Sequence, residues 1–319
     1  FPYTNEGRLT HPLVRDEAGN LVPASWPEAL RVAAAGLAKT GKATAVLSGG
    51  RVTIEDAHAY ASFARDVLGT NDVDFRARAV SNEETAFLAN HVANKSLDVT
   101  YGDLEAAKSV LLVSFEPEDE SPIVFLRLRK AALSGTTKVF AVAPYTSAGL
   151  AKMKGTLLVA GPREEVSAIA SAASHLSSDS VVLVGERAAQ TPGALTAVAE
   201  LVAKTGAKLA WIPRRAGDRG ALDAGLLPIA GRNTSEVIAA TGSAIKGLVV
   251  GGVSPEDVDG DLMAAIEKVC AEQSETADKV RNGHLPAAGA LIGAVMKETK
   301  GQADAARVRE LLLKHLGQG

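Results

Sequence analysis

One stretch, residues 97–144, limits what this chain can fold into more than any other. Val110–Ser114 and Lys138–Val142 are short apolar runs bounded by turn residues, the pattern of strands buried on both faces. Between them Val124, Phe125, Leu128, Ala131 and Ala132 recur at helical spacing, so a helix over Pro122–Leu133 gains one apolar face. Strand, helix and strand make a βαβ unit with a right-handed crossover. In such sheets a ligand sits in the loop after the first strand. That loop is Phe115-Glu116-Pro117-Glu118-Asp119-Glu120-Ser121. Four carboxylates make it a poor cradle for a phosphate, so architecture and loop chemistry point in opposite directions.

The same grammar recurs along the chain. Strands are predicted at Ala43–Leu47, Val73–Phe75, Thr156–Val159, Val181–Val184, Lys208–Ile212 and Leu248–Val250. Helical patterns fall between most of them, which argues for an α/β fold with a doubly wound, mostly parallel sheet. Hydrophobic residues make up 46% of the chain but aromatics only 4%, and such small side chains suit close helix–sheet packing. Residues 1–42 read as a lead-in: short extended pieces at Arg8–Leu9 and Leu21–Val22 suggest a hairpin. A helix then starts at a Ser25/Glu28 capping box and is stopped by Gly41. The α/β region spans 43–270. Residues 271–319 hold no strand candidate and read as three helices, Glu275–Asn282, Ala287–Thr299 and Ala303–His315, forming an all-helical tail. The chain opens on Phe1 rather than Met, and we read it as part of a longer protein.

Charge and composition narrow the chemistry. A net charge of −3 gives no global basic field to recruit nucleic acid. The single Cys270 excludes an internal disulfide and a cysteine-ligated zinc or iron–sulfur site within these residues. No apolar run reaches the roughly 20 residues of a membrane span. Six histidines show no metal-ligand spacing, and there is no G-x-S-x-G or H-E-x-x-H pattern, so no catalytic residue or metal ligand is assigned. The weak cofactor-binding candidates are Ser48, Gly49 and Gly50, between a strand and a helix, with Ser114 at the end of the next buried strand. The first three read either as a phosphate-approach loop or as a tight βα turn. The acidic loop reads either as a hard-cation site or as the solvated N-terminus of the following helix, where its charge favours the macrodipole. Arg127, Arg129 and Lys130 on that helix, and Arg214, Arg215 and Arg219 in a glycine-containing loop at a strand's carboxyl end, are partner-contact candidates, with plain solvation as the alternative.

Several motifs carry family resemblances. Thr100-Tyr101-x-Asp103-Leu104-x-x-Ala107, the following strand, Glu116-Pro117, Pro122, and the strand ending Val142-Ala143-Pro144 resemble the molybdopterin oxidoreductase superfamily. More closely, Tyr3–Leu9, Asp74-Phe75-Arg76-Ala77-Arg78 and Pro213–Ala221 are similar to the actinobacterial form of the large iron–sulfur (G-type) subunits of respiratory NADH–quinone oxidoreductase, complex I. This resemblance covers roughly residues 1–268. It implies a peripheral-arm component at the cytoplasmic side of the plasma membrane, associated with other peripheral-arm subunits and supporting electron transfer from NADH to quinone. It further implies iron–sulfur clusters carried by an N-terminal region outside this stretch, and no active molybdenum site or other cofactor within it. The alternative, an active molybdopterin-dependent oxidoreductase, would rely on Ser48 or Ser114. Residues 275–316, with Ala288-Gly289-x-Leu291-Ile292-Gly293-x-Val295-Met296-Lys297-x-Thr299-Lys300-Gly301-Gln302-Ala303-Asp304, resemble the C-terminal helical domain of the glutamyl/aspartyl-tRNA amidotransferase B-type subunits. That resemblance implies a tRNA-contacting tail in which Lys297, Lys300, Arg307 and Arg309 meet the phosphate backbone. The bland reading makes the tail a small helical cap with Leu291, Ile292, Val295 and Met296 as its core.

Overall fold

Residues 9–76, 81–95, 99–253, 269–298 and 305–316 are described by the computed structural model. The chain divides into two units, Phe1–Gly252 and Val253–Gly319. The division falls earlier than the boundary at 270 read from the sequence, and Val269 and Cys270 pack in the core of the helical unit.

The first unit opens on an antiparallel hairpin, β1 (Leu13–Arg15) with β2 (Leu21–Pro23). Its first strand is therefore not Arg8–Leu9: Leu9 lies before it, and Arg8 lies outside the described residues. A helix over Trp26–Thr40 follows. Its N-cap Ser25 accepts from the backbone N–H of Glu28, and Gly41 ends it at φ 45°, a left-handed conformation that glycine adopts without a Cβ penalty.

Eight further strands form two parallel sheets. β3 (Thr44–Ser48), β4 (Val73–Asp74) and β10 (Gly247–Gly251) make one of three strands in the order β10-β3-β4. β5 (Ser109–Val113), β6 (Lys138–Ala143), β7 (Thr156–Val159), β8 (Ser180–Gly185) and β9 (Lys208–Ile212) make the other, in the order β7-β6-β5-β8-β9. Every predicted strand of the α/β region is present within about two residues of its expected ends. The doubly wound pattern is concentrated in the five-stranded sheet.

Alternation of side chains explains why β5 and β8 are central. Leu111, Val113, Phe140, Val142, Val182 and Val184 enter one hydrophobic cluster, while Val110, Leu112, Val139, Ala141, Val181 and Leu183 enter another. Successive residues of a strand face opposite sides, so a strand apolar at every position must be covered on both faces. The helix Pro122–Leu133 supplies part of the second layer through Val124, Phe125, Leu128 and Ala131, as its spacing predicted. It packs beside the helix Tyr101–Ala106, which begins at a Thr100/Asp103 capping box. Strand order reverses between β5 and β8, and a sheet of this kind opens a crevice at the carboxyl ends of the strands where that happens.

The acidic residues do not form the N-terminus of the helix Pro122–Leu133. Pro117–Glu120 is a helical turn of its own, and Ser121 (φ −154°) separates it from the longer helix.

In the second unit the helices Ser274–Arg281, Ala288–Glu298 and Ala305–His315 bury Ala277, Val280, Leu291, Val295, Val308, Leu311 and Leu312 around one core. Ile292 and Met296 are half-buried against it. Cys270 is a buried free thiol, and burial raises its pKa above the ordinary value.

Candidate functional site

The carboxyl ends of β3, β5, β6 and β8 are where this fold would present a ligand, and glycines lie at or near three of them. A Cβ built on Gly50, after β3, would lie 1.7 Å from Asp218 Oδ1 and 2.8 Å from Arg215 Cβ. At Gly149, in the short helix after β6, it would lie 2.2 Å from Glu116 Oε1. At Gly185, the last residue of β8, it would lie 2.5 Å from the carbonyl oxygen of Ser114. At each glycine the close approach is made by an oxygen of the chain itself.

The Ser48-Gly49-Gly50 turn is engaged through its backbone as well. Gly49 N–H donates to Gly251 O (2.8 Å), and Gly217 N–H donates to Gly50 O (2.8 Å). The arginine-containing loop after β9 therefore packs directly on this turn. Ser48 is 1% exposed, and its hydroxyl makes no hydrogen bond among the described residues. Ser114 takes φ 49°, a strained value for a residue with a Cβ, and lets the chain leave β5 toward β8.

Local pairing uses most of the acidic loop's charge. The Glu116 carboxylate accepts from the backbone N–H of Glu118 (3.3 Å), and Glu120 accepts from the backbone N–H of Glu116 (2.8 Å). Glu120 also pairs with Arg187 (2.5 Å), and Glu118 pairs with Lys152. Glu116, Glu120 and Arg187 border a cavity of about 560 Å³ at the crevice, to which Ser114, Asp119, Tyr145 and Arg214 also contribute.

A second cavity, of about 270 Å³, lies between the ends of β4, β8 and β9. On one side the Arg76 guanidinium forks onto Asp74, with Nε to Oδ1 and Nη2 to Oδ2 both at 2.9 Å, and donates to Glu84 at 2.6 Å. On the other side Glu186 and Asp218 line the cavity together with Arg214 and Arg215. Burial, followed by the charge of Asp218, pushes the Glu186 carboxyl up to about 7. Burial raises Asp218 as well, against the N–H donors of the arginine loop.

The partner-contact candidates separate. Arg214 is half exposed, with Nε 3.7 Å from Glu186 Oε2. Arg215 is half-buried over Gly50. Arg219 is half-buried, bonded to Asp223 (2.9 Å) and the carbonyl of Lys95 (2.6 Å). Arg127 and Lys130 both pair with Glu105, at 2.7 and 2.9 Å, and Arg127 lies over the Tyr101 ring. Arg129 is exposed. In the helical unit Lys297 and Arg309 are exposed, and Arg307 lies on the helix Ala305–His315. Lys300 lies outside the described residues, as do Ala77 and Arg78. Among the described residues no group of three or more His, Cys, Asp or Glu could hold a metal ion, and no helix is long and apolar enough to cross a membrane.

Sequence reading did not single out Glu186, Asp218 or Glu84. A charged residue directly after a fully buried strand was a usable signal for Glu186. Asp218 stands between Arg215 and Arg219, but nothing local in the sequence brings it to Gly50.

Comparison with known proteins follows the same division. The molybdopterin oxidoreductase family profile matches residues 8–208, and a GatB domain profile matches residues 238–316, beginning ahead of Glu275. The chain is 47% identical over 306 residues to the G subunit of the NADH-quinone oxidoreductase of Mycobacterium bovis, covering 83% of this chain and 38% of that protein. It is 50% identical over 257 residues to the protein of the same name from Streptomyces coelicolor, covering 72% of this chain and 30% of that one. An 81-residue segment is 49% identical to the B subunit of the aspartyl/glutamyl-tRNA(Asn/Gln) amidotransferase of a Nocardioides species, covering 22% of this chain and 16% of that protein. The chain thus spans well under half the length of the oxidoreductase relatives it matches.

Proposed function

The chain belongs to the molybdopterin oxidoreductase family, and from that premise we propose that it is a non-catalytic structural part of the peripheral arm of a respiratory NADH–quinone oxidoreductase. In this reading it supports electron transfer between centres carried elsewhere. It stands at the cytoplasmic side of the membrane without inserting, in contact with other peripheral-arm subunits. The names and identities of the NADH-quinone oxidoreductase relatives support the assembly. The observation that carries the non-catalytic part is the filling of the glycine cradles by Asp218, Glu116 and the Ser114 carbonyl.

The family's pterin cofactor, with its anionic phosphates, does not fit those loops. Its oxygens would meet carboxylates and a carbonyl where they need N–H donors or cations, and like charges in a partly dehydrated crevice repel strongly. Ser48 and Ser114 are the side-chain oxygens left to an active-enzyme reading. One is sealed at 1% exposure, and the other stands at the head of the acidic loop. Iron–sulfur clusters need several thiolates and these residues hold one cysteine, so in this reading the redox centres lie outside this stretch.

Metal analysis and pterin fluorescence of the purified full chain test this reading. We expect substoichiometric molybdenum and no pterin; one equivalent of either overturns it.

The helical unit supports a second, separate reading as an RNA contact, resting on the GatB-domain match and on exposed Lys297 and Arg309. Electrophoretic shift of tRNA should then weaken steeply as salt rises, because phosphate contacts release counterions. No shift, or one indifferent to salt, removes this reading.

A further inference from the structure

We propose that the outer face of the helix Pro122–Leu133 docks an amphipathic helix of a partner protein, one whose apolar stripe is flanked by carboxylates. The helix has two apolar faces. Val124, Phe125, Leu128 and Ala131 are buried on one, while Ile123, Leu126 and Leu133 stand 51%, 55% and 43% exposed on the other. Single exposed apolar residues are ordinary on a protein surface. These three are aligned. Ile123, Leu126, Lys130 and Leu133 follow one another at steps of three, four and three residues, the repeat of a coiled-coil seam. At about 100° per residue all four fall within roughly a quarter of the helix circumference.

Charge selects the partner. Lys130 holds one position of the seam itself, and Arg127 and Arg129 hold the two positions that flank it. The helix carries no carboxylate of its own. From the neighbouring helix Tyr101–Ala106, Glu105 pairs with Arg127 and Lys130, and Tyr101 stands half exposed beneath the Arg127 guanidinium. One carboxylate against three cations leaves the face basic. The Lys130 side chain remains 70% exposed, and Arg129 is exposed with no ion pair among the described residues. Exposed Asp119 lies in the turn ahead of the helix, so the positive charge is concentrated toward the carboxyl half.

A second copy of this chain is a poor occupant. Paired with itself in either direction, the seam would set its flanking arginines against arginines, and like charges across a helix pair repel. An acidic helix meets each requirement. A lone lysine in a seam costs stability unless the facing helix offers it a partner, and a carboxylate does so. Glutamates beside the stripe would face Arg127 and Arg129, with Leu126 and Tyr101 as the apolar anchors. The proposal rests on the reading that this chain works in contact with other subunits. Failure of the assay below leaves the molybdenum and pterin measurements, which test that reading, untouched.

Fluorescence anisotropy of two labelled 21-residue helical peptides, titrated with the full chain, reads the surface. Both carry leucine along the seam; one has glutamate at the flanking positions and the other lysine. The glutamate peptide should bind saturably, on the order of tenfold or more tighter than the lysine peptide. Leu126→Asp should abolish that binding, and Arg129→Glu combined with Lys130→Glu should reverse the preference. All three positions are exposed, and far-ultraviolet circular dichroism checks each variant's fold. Should a variant fail to fold, the comparison of the two peptides on the wild type still decides. Equal binding of the peptides, no saturable binding, or unchanged affinity in Leu126→Asp overturns the proposal. So does self-association in sedimentation velocity, or pelleting with phosphatidylserine vesicles, that Leu126→Asp abolishes, since a second copy or a lipid surface would then be the occupant.

Discussion

Arg76→Ala should destabilise the first unit by about 3–5 kcal/mol, the range seen when one member of a buried ion pair is removed. Asp74 is fully buried and Glu84 is nearly so, and Arg76 pairs with both. Without the guanidinium, both carboxylates keep their desolvation cost and lose the bonds that Arg76 makes to them. The loss would spread, because Asp74 also accepts from Thr234 N–H (3.0 Å) while Thr234 Oγ1 donates to the Arg76 carbonyl (2.5 Å). The network therefore pins the turn before the helix Thr234–Ala240 onto the end of β4. Arg76→Lys should recover only part of the loss, since an ammonium cannot make the two parallel bonds of a guanidinium fork. Urea denaturation followed by fluorescence of Trp211, which lines the same cavity, provides the measurement, with Trp26 replaced by Phe to remove its signal. A loss below about 1 kcal/mol, the range of an exposed pair, would show that the network is not held as described.

Gly217→Ala should cost about 1–3 kcal/mol or more, the cost of overpacking, and a second substitution in the loop should not repair it. Its Cβ would lie 2.4 Å from the Val52 carbonyl oxygen and 2.7 Å from that of Gly50. Both obstacles are backbone, so relief requires the two loops to part. Gly50→Ala offers a contrast, because its Cβ meets the side chains of Asp218 and Arg215. Adding Asp218→Ala should restore part of the stability lost in Gly50→Ala and none of that lost in Gly217→Ala. A double-mutant comparison by urea denaturation checks this. Equal rescue of both would mean that side-chain crowding, rather than backbone contact, holds the arginine loop on the turn.

Helical tail, strands and helix faces were legible in the sequence to different depths. Leu291 and Val295 stand in the core of the helical unit as their spacing suggested, and Val124, Phe125, Leu128 and Ala131 face inward. The arginine loop was legible as a feature but not as a contact. Read as a partner-contact candidate, with plain solvation as the alternative, it packs on Gly50 through Arg215, Gly217 and Asp218, with Arg219 bonded to Asp223 and Lys95 while Arg214 stays half exposed. The acidic loop was legible as a poor phosphate cradle, but its own turn, its pairing with Arg187 and Lys152, and its approach to Gly149 were not.

The physical division is between local and distant information. Periodicity, caps and turn residues act over a few positions, so the sequence alone determined where strands and helices begin, which faces are apolar, and that the two parts of the chain differ in kind. The pairing of β10 with β3, the meeting of residues 48–50 with 215–218, and the pairing of Asp72 with Arg232 join positions about 160 apart or more. Those contacts follow from how the sheets assemble, and no local pattern encodes them. Only the tertiary structure decided that the glycine turns of a ligand-binding architecture are filled by oxygens of the chain itself. It also decided that two carboxyls far apart in sequence, Glu186 and Asp218, line one cavity.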